Sequence, residues 1–126
     1  MRKTDVAVKI IFRLKNKALI MRHRNGIFDF PGGRIEFGES PLAALKRELK
    51  EELNYSLTKK PKFFNIWTYL SKNKKRHSIF LTYVLRVSKK PKMRSSEKAD
   101  LLWLTKKEFL NRGVIKNIKF VQAIFS

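Results

Sequence analysis

The stretch Gly33-Arg34-Ile35-Glu36-Phe37-Gly38-Glu39-Ser40-Pro41-Leu42-Ala43-Ala44-Leu45-Lys46-Arg47-Glu48-Leu49-Lys50-Glu51-Glu52-Leu53-Asn54-Tyr55 reads as a loop feeding a helix whose two faces differ in chemistry. Ser40 followed by Pro41 is a helix start: the hydroxyl caps free N–H groups, and proline's fixed φ suits the first turn. Leu42, Leu45, Leu49 and Leu53 recur at spacings of three, four and four residues. They therefore share one stripe, which should face a core. Asn54 is expected to end the helix, because Asn tolerates the left-handed backbone conformation found there. Glu48, Glu51 and Glu52 stand at i, i+3 and i+4 and share a second face beside the leucines. Carboxylates this close repel one another. A bound cation would relieve the repulsion, and so would Lys46, Arg47 and Lys50 on a merely solvated face.

The charge around this stretch points to the first reading. The chain has 126 residues, 30 Lys plus Arg against 10 Asp plus Glu, a net charge of +20 and no cysteine. Five of the acidic residues but only four of the basic ones lie between Gly33 and Tyr55, so that window is −1 and the remainder +21. An acidic cluster inside a basic protein fits carboxylates that hold cations and surroundings that attract a phosphorylated substrate, although a Lys-rich surface also keeps a chain soluble. Hard divalent ions take oxygen ligands and keep open positions for substrate phosphates, which favours Mg²⁺ with Mn²⁺ as the alternative. Gly33, Glu39, Arg47, Glu48, Leu49, Glu51 and Glu52 fit the pattern G-x5-E-x7-R-E-U-x-E-E, with U an aliphatic residue. A chance match at this chain's composition is on the order of a few in a million.

At these residues the sequence resembles the Nudix hydrolase family, and Phe30-Pro31-Gly32-Gly33-Arg34-Ile35-Glu36-Phe37-Gly38-Glu39-Ser40 is similar to the loop leading into that family's helix. Two positions depart: the motif normally closes with Gly and an aliphatic residue, and this chain has Asn54 and Tyr55. The resemblance implies an α/β/α sandwich with a mixed β-sheet, spanning residues 1–126 as one domain. It also implies divalent-cation-dependent hydrolysis of a nucleoside diphosphate linked to another group. Glu48 and Glu52 would be the main metal ligands, Glu51 would ligate directly or through water, and the Gly32 carbonyl would complete the site. Arg47 would orient the glutamates and Glu39 would support the loop–helix junction. The general base would be a glutamate of the motif such as Glu48 or a loop residue such as Glu97. Arg22 and Arg24 would hold substrate phosphates. Phe28, Trp67 or Tyr69 would stack on a base if they are not core, with Trp103 a weaker candidate.

Two rival readings stand beside this one. Removal of pyrophosphate from RNA 5′ ends is favoured by the positive remainder of the chain, and Lys72 to His77 with Lys89, Lys90, Lys92 and Arg94 would then track the RNA backbone. A binding module that senses a nucleotide or RNA without cleaving it is disfavoured by Arg47-Glu48 and Glu51-Glu52, whose repulsion a pure binder has little reason to keep.

The rest of the chain supplies the frame. Val6, Val8, Ile10 and Phe12 alternate as in a strand, Leu14 to Lys17 turns, and Ala18 to His23 returns as a hairpin partner. Ile27 to Phe30 is a short strand ending at Pro31-Gly32-Gly33. Phe63 to Leu70 and Ser78 to Val87 form a second hairpin across the basic connection Ser71 to His77. Leu101 to Leu104 is a short strand, Thr105 and Glu108 are spaced as a capping box for a short helix, and Val114, Ile118, Val121 and Phe125 fit a last helix. This order predicts a mixed sheet between helices. His23 and His77 have no metal-ligand spacing and are expected at the surface. The apolar runs are far too short to cross a bilayer, no signal peptide is visible at the start, and cysteine is absent, so a cytoplasmic protein without membrane association is expected.

Overall fold

A computed structural model describes residues 3–126. The elements in chain order are β1 (Lys3–Leu14), β2 (Lys17–Arg22), β3 (Phe28–Asp29), β4 (Gly32–Arg34), α1 (Pro41–Leu53), β5 (Lys62–Leu70), β6 (Arg76–Arg86), β7 (Asp100–Thr105), α2 (Lys106–Asn111) and α3 (Ile118–Ile124). They build a seven-stranded mixed sheet of order β3-β2-β1-β6-β5, with β4 paired to β1 and β7 to β2. β1 and β6 run parallel from the Lys3–Arg76 pair to Arg13–Arg86, and the other pairings are antiparallel.

β1 is the spine. Every residue from Ala7 to Arg13 is buried, because helices cover both sides of the sheet. On one side Val8, Ile10 and Phe12 pack with Leu19, Met21 and the α1 residues Ala44, Leu45, Leu49 and Leu53. On the other, Ile11, Ala18, Ile20 and Phe30 pack with Phe109 of α2 and Phe120, Val121 and Ile124 of α3. Leu45, Leu49 and Leu53 are fully buried, and each contributes roughly 2 kcal/mol by leaving water. Leu42 is only half-buried, and Ala44 takes the fourth place in the stripe.

Both ends of α1 form as the local sequence predicts. The Ser40 hydroxyl accepts from the Ala43 N–H at 3.2 Å, and Asn54 adopts φ 52°. The N–H groups of Asn54 and Tyr55 then close on the carbonyls of Lys50 and Leu49. Tyr55 packs edge-on against Phe12 with ring centroids 5.2 Å apart, so both departures from the family motif are accommodated.

Two elements differ from expectation. Gly32–Arg34 is a strand, because β2 leaves β1 after the pairs Arg13–Ala18 and Leu14–Lys17, and β4 takes the vacated edge at Ala7 to Lys9. The last helix begins only at Ile118, since the Asn117 side chain caps it by accepting from the Phe120 N–H; Val114 and Ile115 pack from the preceding loop. Its C-terminal end is held by buried Arg13, whose guanidinium donates to the Ile124 carbonyl. No helix among the described residues is long and apolar enough to cross a membrane.

Candidate active site

The glycine pair of β4 lets three pieces of backbone and side chain meet. Gly32 has φ +141°, and a Cβ there would lie 1.9 Å from the Val8 carbonyl oxygen of β1. At Gly33 a Cβ would lie 2.4 Å from the carboxyl carbon of Glu48 and within 2.7 Å of both its oxygens. Without side chains, the pair lets α1 lower two carboxylates onto the strand. Glu48 rests against Gly33, and Glu52 Oε1 accepts from the Gly32 N–H at 3.1 Å.

Arg47 fixes this arrangement from the flank. Its Nε and Nη2 donate to the two oxygens of Glu39 at 2.7 and 2.9 Å, the bidentate geometry a planar guanidinium favours. Nη1 donates to Glu48 Oε1 at 2.8 Å and Nη2 to the Arg34 carbonyl at 3.0 Å, tying helix, loop and β4 together. Hydrogen bonds from Arg47, and then from the Glu36 N–H, hold the Glu39 carboxyl down at about 2. Those same carboxylates push the Arg47 guanidinium upward from its ordinary value. A lysine at position 47 cannot make the fork, so Arg47→Lys is expected to lower turnover about 10- to 100-fold while the chain still folds. Steady-state rates at saturating substrate check this, and unchanged turnover would reduce Arg47 to a surface ion pair.

Glu51 and Glu52 separate here, although spacing alone treats them alike. Glu51 is 62% exposed and reaches Arg47 only at 3.5 Å. Glu52 is turned under β4, and burial pushes its carboxyl up to about 7, offset in part by the Gly32 N–H and by Lys9, while Asp29 and Glu48 add to the rise. The folded chain thus holds a proton that the unfolded chain has already released. Metal-free protein should therefore lose stability as pH rises from about 4.5 to about 7, a decline Glu52→Gln should lack. Melting curves in chelator across that range test this, and parallel profiles for the two proteins would contradict the burial of Glu52.

Of the remaining predicted residues, Arg22 and Arg24 line a cavity that none of the α1 glutamates lines. It measures about 470 Å³ and is shared with His23, Lys98 and Asp100, and there Arg22 Nη2 pairs with Asp100 Oδ2 at 2.7 Å. Phe28 is half-buried against the second core cluster. Trp67 stacks on Phe80 at 4.5 Å and donates its indole N–H to Thr82, so it is structural, whereas Tyr69 is 51% exposed. Trp103 packs against the α1 side of the core. Both histidines are partly exposed and line surface cavities, and His23 Nδ1 lies 3.6 Å from Glu97. The loop bearing Glu97 is stitched to the end of α1, where the Ser96 N–H donates to the Glu52 carbonyl at 2.9 Å.

Sequence reasoning missed Lys9 and Asp29. Lys9 is 6% exposed, and its ammonium donates to Asp29 Oδ2 at 2.9 Å and to the Phe30 carbonyl at 3.2 Å beside the glycine pair. The signal was present: Ala7 and Ile11, its neighbours on the same face, are apolar, so a cation between them needed a buried partner.

The donor set suits a hard cation. Glu48 and Glu52 place carboxylate oxygens around one glycine pair, and Glu52 sits where burial opposes a free negative charge and a cation would stabilise one. Among the described residues no three acidic or histidine side chains converge into a ready-made cage, consistent with the outward turn of Glu51. Open positions of this kind are the ones substrate phosphates and water complete.

The sequence profile of the NUDIX domain matches residues 1–124. The chain belongs to that family. It is 37% identical over 75 residues to the 8-oxo-dGTP diphosphatase of Escherichia coli, covering 56% of this chain and 55% of that protein. To the ADP-ribose pyrophosphatase of Methanocaldococcus jannaschii it is 31% identical over 86 residues, covering 65% of this chain and 50% of that protein. The chain thus spans about half the length of these curated relatives. Among solved structures, the dihydroneopterin triphosphate pyrophosphohydrolase of E. coli superimposes with a TM-score of 0.76 at 16% identity, covering 98% of this chain and 94% of that one. The α/β/α sandwich with its mixed sheet is therefore the family's fold.

Proposed function

We propose that this chain hydrolyses the diphosphate linkage of a nucleotide or nucleoside diphosphate derivative, using a divalent cation, Mg²⁺ or Mn²⁺. The observation that carries the reading is the seating of Glu48 and Glu52 on Gly32-Gly33, braced by Arg47 and Glu39. The activities named for the relatives, on 8-oxo-dGTP and on ADP-ribose, favour a nucleotide substrate. Residues 1–126 would carry the activity as one domain, in the cytoplasm.

Glu48 and Glu52 would hold the cation together with the Gly32 carbonyl, and exposed Glu51 would join through water. A cation held there would neutralise charge developing on the diphosphate and would make a neighbouring water more acidic. The chain's own residues do the rest. Arg47 keeps Glu48 in one rotamer, so no reorganisation is needed as substrate arrives. Arg22 and Arg24, with Lys98 in the same cavity, would bind the phosphate or sugar beyond the scissile linkage, and Phe28 would border the base. The proton of the attacking water goes to Glu48 or to Glu97, which the Ser96–Glu52 hydrogen bond keeps at the end of α1.

Phosphate-release assays across nucleoside triphosphates, nucleotide sugars, dinucleoside polyphosphates and 5′-triphosphorylated RNA, with and without Mg²⁺, test the assignment. Metal-dependent turnover of at least one class is expected, and none in any class would contradict it. Millimolar Mg²⁺ or Mn²⁺ should also raise the melting temperature, because a ligand that binds only the folded state stabilises it; no shift with either metal would leave the acidic face merely solvated.

A further inference from the structure

β5 is an edge strand: it pairs with β6, and no strand among the described residues covers its other side. From Phe63 to Leu70 it carries no charged residue in a chain that is 32% charged. Phe63, Ile66, Tyr69 and Leu70 are each 51–55% exposed. Cations close both ends of this neutral track, Lys59, Lys60 and Lys62 before it and Lys72, Lys74, Lys75 and Arg76 after it. At the hairpin end the Lys3 N–H donates to the Lys75 carbonyl at 2.9 Å, which brings Lys3 to the same place. There Lys3, Lys74, Lys75, His77 and Leu70 line a cavity of about 460 Å³. Asp5, the acidic residue at this end of β1, is already engaged by Arg76 at 3.2 Å and Arg34 at 3.5 Å. Among the described residues, Lys3, Lys62, Lys72, Lys74 and Lys75 take part in no ion pair.

We propose that β5 and the β5–β6 hairpin form a docking track for single-stranded nucleic acid, with phosphates on the terminal lysine clusters and unstacked bases on the exposed apolar side chains between them. Nine residues of strand extend about 30 Å, enough for a stretch of about four nucleotides or more. Charge selects this occupant. Antiparallel pairing with a second copy would set the lysines of one +20 chain against those of another within a screening length. Strand alternation puts Ile66 and Leu70 on one side of the sheet and Tyr69 on the other, so Ile66 and Leu70 form the apolar part of the track between the two lysine clusters. Ile66, Leu81, Val8 and Gly33 stand in register across β5, β6, β1 and β4, so the track lies about 14 Å from the strand that carries the glycine pair. The proposal does not rest on the hydrolase reading.

Fluorescence anisotropy with labelled 12-nucleotide RNA and DNA of the same mixed sequence, measured in chelator on the full chain, tests it. Lys74→Glu/Lys75→Glu is expected to weaken binding of the strands about ten-fold or more and to flatten the salt dependence. Ile66→Ser/Leu70→Ser should weaken it about five-fold and leave the salt slope unchanged. Melting curves confirm that both variants fold, and turnover of a mononucleotide should be unchanged in both. A preference for RNA or for DNA identifies which strand is the source, and either supports the track. Affinity within about two-fold of wild type in both variants would overturn it, as would equal binding of inorganic polyphosphate or tighter binding to phosphatidylglycerol vesicles. Because no metal is present, failure of the hydrolase assignment leaves these results intact.

Discussion

Glu52→Gln is expected to cut turnover by about 10³-fold or more while leaving the fold intact. The substitution keeps the shape and one oxygen, so the hydrogen bond from the Gly32 N–H survives and the packing under β4 changes little. What it removes is the negative charge that a divalent ion requires. In metal-free protein that charge is unfavourable, since burial raises the carboxyl to about 7, so Glu52→Gln should fold at least as stably as wild type near neutral pH. Loss of activity with retained or improved stability separates a ligand from a structural residue. Glu51→Gln provides the contrast: that side chain is 62% exposed, and a much smaller loss is expected. Kinetics in millimolar Mg²⁺, paired with melting curves in chelator, measure both, and near-normal turnover in Glu52→Gln would remove the proposed role.

Gly32→Ala should have the largest effect on the fold. A methyl group there would sit 1.9 Å from the Val8 oxygen and 2.9 Å from its carbon, both backbone atoms of the central strand, at a φ of +141°. Neither neighbour can move without breaking the β1–β4 pairing that holds the site. The cost should exceed about 3 kcal/mol, so little soluble folded protein is expected. Gly26→Ala is the control. It shares a positive φ, +84°, but a Cβ there meets nothing within 4 Å, so only the backbone term remains, about 1 kcal/mol. Urea unfolding of the two variants makes the comparison, and equal costs would show that the Val8 contact is not what demands glycine at 32.

The sequence was most readable where structure is made by neighbours in the chain. Ser40, Pro41 and Asn54 bound α1 because caps act within one turn, and Thr105 with Glu108 forms the capping box of α2 for the same reason. β4 was invisible because two glycines carry no strand preference; the strand exists only because β2 turns away and leaves β1 an open edge. Spacing placed Glu48, Glu51 and Glu52 on one helix face, yet it could not tell which of the last two lies under the sheet, since that depends on where β4 crosses α1. Lys9 and Asp29 were missed for a related reason: they are distant in sequence, and their ion pair appears only when the sheet brings the end of β3, paired to β2, beside β1. The roles of Arg47 and Glu39 came from the family resemblance, and the geometry now supplies the physical link between them in a bidentate pair.

Crystals grown with Mn²⁺ and a nonhydrolysable nucleotide, with anomalous data collected on manganese, should show anomalous density between the carboxylates of Glu48 and Glu52, beside Gly32, with an oxygen of the nucleotide's diphosphate within bonding distance of the metal. Manganese bound only elsewhere, with Glu52 still closed on the Gly32 N–H and Glu48 on Arg47, would contradict the role of the two glutamates as ligands.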